Sequence, residues 1–503
     1  MELIDGYGVV ALGLLFLFTL CRFLLYQPNK KLSRPPGPPA WPIIGHLHFL
    51  GKSPHQSLAK LAHKHGPLMF LRLGSVPTVV VSNAALAREF LKTHDQNFAS
   101  RPKRLSGKIL LYNNADIASA EYGPIWRNAR KVCQLELFTL RRMEASKHIR
   151  TEEVDCMVKS IRAQVEGGKA VDVHSQLFAL TRNIITRMVL NKKYFASDSK
   201  EAMAFKDIVN EYFYLCGVFN WGDYIPYMGW LDIHGYERQM KAARKRMDFI
   251  MDAIIQEHQQ KKLDAFADSS LDFIDVLLSL GSNEAYEHLS MDHIKAVAIN
   301  MLAAGTDSSA LTMEWALSEV LLKPFVQKKA QQELDQAVGR ERKVEEADLP
   351  QLKYLQAVVK ETFRLHPAAP FLVPHESMEA VEVSGYTIPA KVRLLVNAWA
   401  IGRDPSRWER PLEFDPERFL DSSIDVRGQD FELIPFGSGR RACPGTVLAL
   451  ASVQLALAAL LQSFEWSVPP AEKMDMTEAY GLTLPKAVPL HLLATPRLPQ
   501  HLY

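Results

Sequence analysis

The chain has 503 residues, 48% apolar and 23% charged, which is ordinary for a folded globular protein and excludes disordered, collagen-like and coiled-coil classes. Its 59 basic and 56 acidic residues leave a net charge of +3. With the two signs interleaved after residue 35, there is no concentrated basic stripe of the kind that binds nucleic acid.

The first predicted element is a membrane anchor. Residues 7–26, YGVVALGLLFLFTLCRFLLY, carry one charge, Arg22, near one end. At about 1.5 Å per residue they reach about 30 Å, the thickness of a bilayer core. Glu2 and Asp5 precede them, Lys30, Lys31 and Arg34 follow, and no small-residue cleavage site is present. A retained signal anchor is expected rather than a cleaved signal peptide. The basic flank stays cytosolic by the positive-inside rule. Residues 1–6 are then lumenal, the body is cytosolic, and the endoplasmic reticulum is the usual destination of such an anchor.

Residues 27–45 are basic and then proline-rich, through Pro35-Pro36-Gly37-Pro38-Pro39-Ala40-Trp41-Pro42. They predict a stiff extended hinge. The catalytic body is expected over 46–503. Helical spacing marks 54–64 and 84–93, with two strands between them at 68–73 and 78–82. Amphipathic helical patterns follow at 121–165, 173–190, 199–217, 235–262 and 270–281, and one longer helix is predicted over 285–321. Strand signals cluster at 379–398 around a Gly385-Tyr386 turn, and a last helix covers 444–462. The class is mainly α with small β-sheets, α+β rather than alternating βαβ.

The five cysteines, Cys21, Cys133, Cys156, Cys216 and Cys443, are odd in number and scattered. They offer neither a disulfide framework nor a CxxC zinc pair, and fit a reducing compartment. Cys443 alone has chemical surroundings: Phe436-Gly437-Ser438-Gly439-Arg440-Arg441-Ala442-Cys443-Pro444-Gly445. Cations and a helix start stabilise a thiolate. Glycines admit a flat cofactor, and backbone N–H groups can donate to the sulfur. This is what a proximal haem thiolate needs.

Phe436, Gly439, Arg441, Cys443 and Gly445 resemble the haem-binding signature FxxGxRxCxG of the cytochrome P-450 family. Three further motifs occur in the family's order. Trp126-Arg127-Asn128-Ala129-Arg130 is similar to WxxxR, Ala304-Gly305-Thr306-Asp307-Ser308-Ser309 to the oxygen-activation segment, and Glu361-Thr362-Phe363-Arg364 to ExxR, with Pro416-Glu417-Arg418-Phe419 downstream. The resemblance implies that fold, with one N-terminal transmembrane helix, and Cys443 as axial ligand of haem b. It implies propionate donors at Trp126, Arg130, His375 and Arg441, a brace made by Glu361, Arg364 and Arg418, and a proton relay through Asp307 and Ser308. Ser308 stands where the family more often has Thr; the hydroxyl remains and the stiffening methyl is gone.

The implied reaction is monooxygenation with O2 as co-substrate. No flavin or nicotinamide fingerprint occurs, so electrons from NADPH are expected through a separate NADPH–cytochrome reductase, drawn to cations among Arg127, Lys131, Arg440 and Arg441. A reductase-independent isomerase or a haem sensor would not need the Asp307-Ser308 pair. The family's pocket segments place Leu110, Leu111, Phe213, Val297, Met301, Ala304, Ala369, Phe371, Val373, Leu482 and Thr483 around the substrate. This mostly apolar set implies a small apolar substrate. Phe98-Ala99-Ser100-Arg101-Pro102 and Tyr480-Gly481-Leu482-Thr483-Leu484-Pro485 look most like the plant microsomal enzymes of specialised metabolism. Among these, a terpenoid hydroxylase is slightly favoured over a flavonoid or phenolic hydroxylase or synthase.

Overall fold

A computed structural model describes residues 33–194, 200–264, 272–281, 289–470 and 472–503, together with Gly13. The anchor expected at 7–26 therefore lies outside the described residues, Gly13 apart.

Twelve described helices have eight residues or more: α1 Pro54–His65, α2 Pro124–Val132, α3 Lys147–Glu166, α4 Val173–Leu190, α5 Lys200–Gly217, α6 Tyr236–Asp264, α7 Phe273–Leu280, α8 Met291–Ala304, α9 Asp307–Leu322, α10 Pro324–Ala337, α11 Lys353–Leu365 and α12 Thr446–Ser463. The strands are β1 Leu68–Leu73, β2 Val76–Val81, β3 Val171–Asp172, β4 His375–Glu376, β5 Val381–Val383, β6 Tyr386–Ile388, β7 Arg393–Val396, β8 Phe464–Ser467 and β9 His491–Pro496. They form a four-stranded sheet β1-β2-β7-β4, a three-stranded sheet β3-β9-β8 and the hairpin β5-β6. In the largest sheet β2 and β7 run parallel, with Thr78 opposite Arg393, and the other pairs are antiparallel.

The main core is helical. α12 lies at its centre, with Leu455, Ala456, Leu457 and Leu460 buried against Met313 and Ala316 of α9 and Leu355 and Val358 of α11. Among the described residues α12 alone is long and apolar enough to cross a membrane, but two thirds of it is buried inside the protein. That burial marks a core helix of a large domain.

The structure revises three elements. The helix expected over 285–321 is two: α8 ends at Gly305, and α9 restarts after Thr306, whose ψ is −78°. The Thr306 hydroxyl donates to Ala303 O at 3.1 Å, a local bond that competes with the helix ladder. Gly305 sits so close to α4 that a Cβ would lie 2.6 Å from Ile185 Cδ1. The pattern over 121–165 divides into α2, a π-turn at Cys133–Leu137, a short helix Leu140–Ala145 and α3. Thr139 makes the restart by accepting the Arg142 N–H at 3.2 Å. The β5-β6 turn is Ser384-Gly385, both at positive φ, so Tyr386 begins a strand. Two-residue hairpin turns with this backbone match the twist of their strands.

Candidate active site

The Cys443 loop is held by its own backbone. Cys443 N–H donates to Phe436 O at 2.9 Å, and Thr446 Oγ1 donates to Cys443 O at 3.1 Å as α12 begins. Gly439, at φ +67°, lies against Leu91 O, so no side chain fits there. Phe436 meets Phe363 of α11 edge-on at 5.1 Å, which ties the loop to the helix carrying ExxR.

Cys443 combines two properties. Its side chain is accessible, yet protein surrounds it closely enough that burial pushes its thiol up. The sulfur is thus reachable, although protein crowds around it. The Gly445 N–H, Arg130 and Thr446 oppose that upward push. These are the donors that stabilise a thiolate, and a bound metal cation would complete the ionisation.

Around this loop the structure gathers buried and half-buried basic side chains. Arg441 donates to Ala99 O and Ala120 O, each at 2.5 Å, and its guanidinium lies 4.2 Å from the Trp126 ring centroid. Arg130 donates to Ala442 O at 2.6 Å. His375 Nδ1 is 2.8 Å from Phe98 O. Arg101, 5% exposed, donates to Val373 O and Pro374 O at 2.6 and 2.9 Å. Burial pushes Arg441 down to about 8, and the neighbouring Arg101 adds to the effect. Burial likewise pushes Arg101 down to about 9 and His375 well below its ordinary value. The carboxyl facing them, Asp116, is itself pushed up by burial. The three arginines hold more positive charge than Asp116 balances, and buried Trp126 Nε1 has no acceptor. A group bringing two carboxylates fits both needs, so the residues fit a haem with its propionates. Arg101 and Asp116 belong to none of the motifs expected to serve the site; Phe98–Pro102 marks the plant group in the sequence and nothing more.

Of the four cations expected to steer a reductase, Arg441 is thus turned inward. Arg440 pairs with Asp95 at 3.4 Å, and Arg127 lies over the Tyr122 ring at 5.6 Å.

The relay residues sit at the α8–α9 break. Asp307 Oδ1 is 3.5 Å from Arg182 Nη2 and 3.3 Å from Thr306 Oγ1. Burial pushes its carboxyl up, against the pull of Arg182, Thr306 and His174. Ser308 Oγ donates to Ala304 O at 2.8 Å, so the hydrogen bonds of Asp307 and Ser308 run in different directions.

The pocket residues divide. Val373 and Leu482 are accessible, as is Ala304, although most of α8 is buried. Phe213 and Ala369 are half-buried. Met301 and Val297 are buried in the main core, and Phe371 packs in a separate cluster with Leu58 and Leu395. Leu110 has no accessible surface, and its carbonyl accepts from Tyr212 Oη at 3.1 Å. The walls nonetheless converge. A Cβ on Gly217, which ends α5, would lie 2.9 Å from Leu482 N, so the two backbones pack closely. Leu484 N–H donates to Ala368 O at 3.0 Å, and Leu372 borders Gly437 of the Cys443 loop.

Glu361 and Arg364 of the brace are fully buried, and Arg418 is half-buried. Arg364 Nε and Nη2 each donate to Glu361 at 2.7 Å, and Arg418 Nε joins Glu361 at 3.3 Å.

Comparisons agree with this geometry. The family model described as Cytochrome P450 matches residues 35–492. A flavonoid 3'-monooxygenase of Crocosmia x crocosmiiflora is 43% identical, over 96% of this chain and 97% of that protein. A flavonoid 3',5'-hydroxylase of Campanula medium is 42% identical over 99% and 98%, and cytochrome P450 71A1 of Persea americana 43% over 96% and 99%. A zebrafish cytochrome P450 solved with progesterone is 28% identical, with a TM-score of 0.78 over 88% of this chain and 99% of that one. A match that spans nearly the whole folded body, with relatives above 40% identity end to end, makes the conclusion plain: the chain belongs to the cytochrome P450 family, as a monooxygenase whose cofactor is haem b and whose electrons come from NADPH through a reductase.

Proposed function

We propose that this monooxygenase is held at the endoplasmic reticulum by residues 7–26, with its body over 46–503 in the cytosol, and that it hydroxylates an aromatic ring of an apolar plant phenolic. The names of two flavonoid-oxidising relatives at 42–43% identity support the aromatic reading. The apolar pocket set keeps terpenoid hydroxylation as the second reading, since few polar side chains are there to orient a polyhydroxylated ring. The anchor reading has support of its own. Exposed Trp41 and Ile43 of the hinge, and exposed Tyr227, Trp230 (80% accessible) and Ile233, flank the same β1–β2 turn. Gly45 bridges to Leu73, and Ser75 N–H donates to Tyr224 O at 2.8 Å. Aromatic side chains grouped this way suit a membrane interface.

The observation that carries the enzymatic reading is the surplus of buried and half-buried arginines beside the Cys443 loop. Bound there, haem supplies oxygen activation through its thiolate-ligated iron. Arg441, Arg130, Arg101, His375 and Trp126 would hold and orient its carboxylates. Cys443, with the Gly445 N–H beside it, would hold the haem iron through its sulfur. Asp307 would be the proton donor there: burial pushes its carboxyl up, toward the neutral form, and Arg182 holds it at the helix break. Asp307→Asn removes that proton source and is expected to lower product formation about 10²-fold. Product per NADPH consumed, measured in microsomes with a reductase, falls with it. In the same microsomes, a mixed panel of flavonoids and terpenes is screened for mass gains of one oxygen. Oxidation confined to the terpenes refutes the aromatic reading.

A further inference from the structure

The C-terminal turn that carries Leu482 and Thr483 is a hairpin bonded to itself. Glu478 and Lys486 face each other in an antiparallel bridge, Ala479 N–H donates to Pro485 O at 2.9 Å, and Ala487 N–H donates to Thr477 O at 2.8 Å. Gly481 N–H closes the tip on Thr483 O at 3.1 Å. Cross-bonds of this kind make the legs and tip move together, so whatever holds the legs also places the tip.

Each leg is held by a different part of the fold. On one side Trp315 Nε1 of α9 donates to Leu484 O at 2.9 Å, and the Lys486 ammonium lies 4.8 Å from the Trp315 ring centroid. On the other side is the Glu478 carboxylate, 8% exposed. His55 Nε2 at 2.8 Å and Gln56 Nε2 at 2.7 Å, both in the first turn of α1, donate to its Oε2. Trp399 Nε1 donates to its Oε1 at 3.0 Å. Burial opposes ionisation of Glu478, but these donors outweigh it and hold the carboxyl down at about 2.

His55 widens the clamp. It is fully buried, its ring stacks on Tyr480 at 5.9 Å, and it meets Trp399 and Phe371 edge-on at 5.1 and 6.5 Å. Its backbone carbonyl accepts from Asn397 Nδ2 at 2.9 Å, so its place in the chain does not depend on the ring. Phe371 and Tyr480 belong to the two segments expected beside the substrate, and the Leu484 N–H to Ala368 O bond joins those segments. None of the motifs read from the sequence contains His55, Gln56, Trp399 or Glu478.

We propose that Glu478 is a positioning residue: clamped to α1 and Trp399, it sets where the 480–485 turn stands over the substrate and so which molecules fit there. The proposal rests on the reading that this turn faces the substrate, and holds equally for a phenolic or a terpenoid. A carboxylate suits the task, because charge-assisted bonds from several directions fix both its position and its rotamer, where an apolar contact lets a leg slide. With the clamp open, the hairpin keeps its Trp315 leg and pivots about it. Leu482 is then displaced while the Cys443 loop is untouched.

The test titrates full-length, haem-loaded protein with imidazole, 4-phenylimidazole and bifonazole, read by the haem absorption band. The three probes bind iron through the same kind of nitrogen, but only the last two carry aromatic arms that meet the pocket walls. Glu478→Gln keeps the size of the side chain and sets an amide donor against one of the three donors. It is expected to weaken the two arylated probes about tenfold, the scale of one hydrogen bond to a charged group. Imidazole affinity and the carbon-monoxide band stay as in the parent. His55→Phe keeps the stacked ring without the donor and shifts the arylated probes the same way. The double variant goes no further than the stronger single one, because both open one clamp. Arylated probes that bind Glu478→Gln as they bind the parent overturn the proposal, as does an equal loss for plain imidazole, the mark of general loosening. Effects that multiply in the double variant overturn the shared clamp. Leu482→Ala separates the two levels. If it too leaves the arylated probes unchanged, the turn does not face the substrate and the proposal falls with that placement; if it weakens them while Glu478→Gln does not, the placement stands and the role of Glu478 alone is refuted.

Discussion

Replacing Cys443 with alanine is expected to leave a folded protein that has lost monooxygenase activity by about 10³-fold or more, as removal of an essential reacting group does. The loop should survive, because its retaining bonds are made by the backbone of residue 443: the N–H to Phe436 O and the carbonyl to Thr446 Oγ1. What disappears is the sulfur that has the Gly445 N–H donor and Arg130 beside it. The carbon-monoxide difference spectrum of reduced microsomes checks this. The strongly red-shifted band of a thiolate-ligated haem should be absent from the variant and present in the parent. A variant that keeps both band and turnover removes Cys443 from the site altogether.

The second large effect is on stability. Arg364→Ala strips Glu361 of its two bonds at 2.7 Å and leaves the carbonyls of Gly402, Pro411 and Glu413 without their donor. Both side chains of the pair are fully buried, so the carboxylate left behind has only Arg418 and the Asp415 N–H for company. Breaking a buried pair in this way costs about 3–5 kcal/mol. Against the roughly 5–15 kcal/mol that holds a typical domain together, that is a large fraction. The midpoint for loss of the carbon-monoxide band in urea should fall sharply, and Arg364→Lys should recover only part of it. An ammonium cannot reproduce the fork that serves one carboxylate and three carbonyls at once. A midpoint unchanged in Arg364→Ala would show that the brace is dispensable.

Cys443 and the Glu361–Arg364 pair are legible in the sequence because a loop followed by a helix start, and two side chains three residues apart, are local objects. The helices are legible for the same reason: α4, α5 and α6 keep their expected bounds within one or two residues. The α8–α9 break is hidden from the sequence, because its causes are the tertiary contact of Gly305 with Ile185 and the rotamer of Thr306. The roles of Arg101 and Asp116 are hidden too, since they arise only when four chain segments are brought together. Leu110 is expected at the substrate and is fully buried instead, because apolar character alone does not separate a wall from a core.

The long reach of Arg441 has a consequence for how the molecule is made. Its three acceptors lie 321 to 342 residues earlier in the chain. At a synthesis rate of about 5–20 residues per second, those carbonyls wait on the order of half a minute for their donor to leave the ribosome. The site is therefore closed late, by contacts of very high sequence separation, which fold slowly. During that interval the segment around Ala99 to Ala120 carries acceptors and apolar side chains whose partners do not yet exist, which makes it a natural client for chaperones.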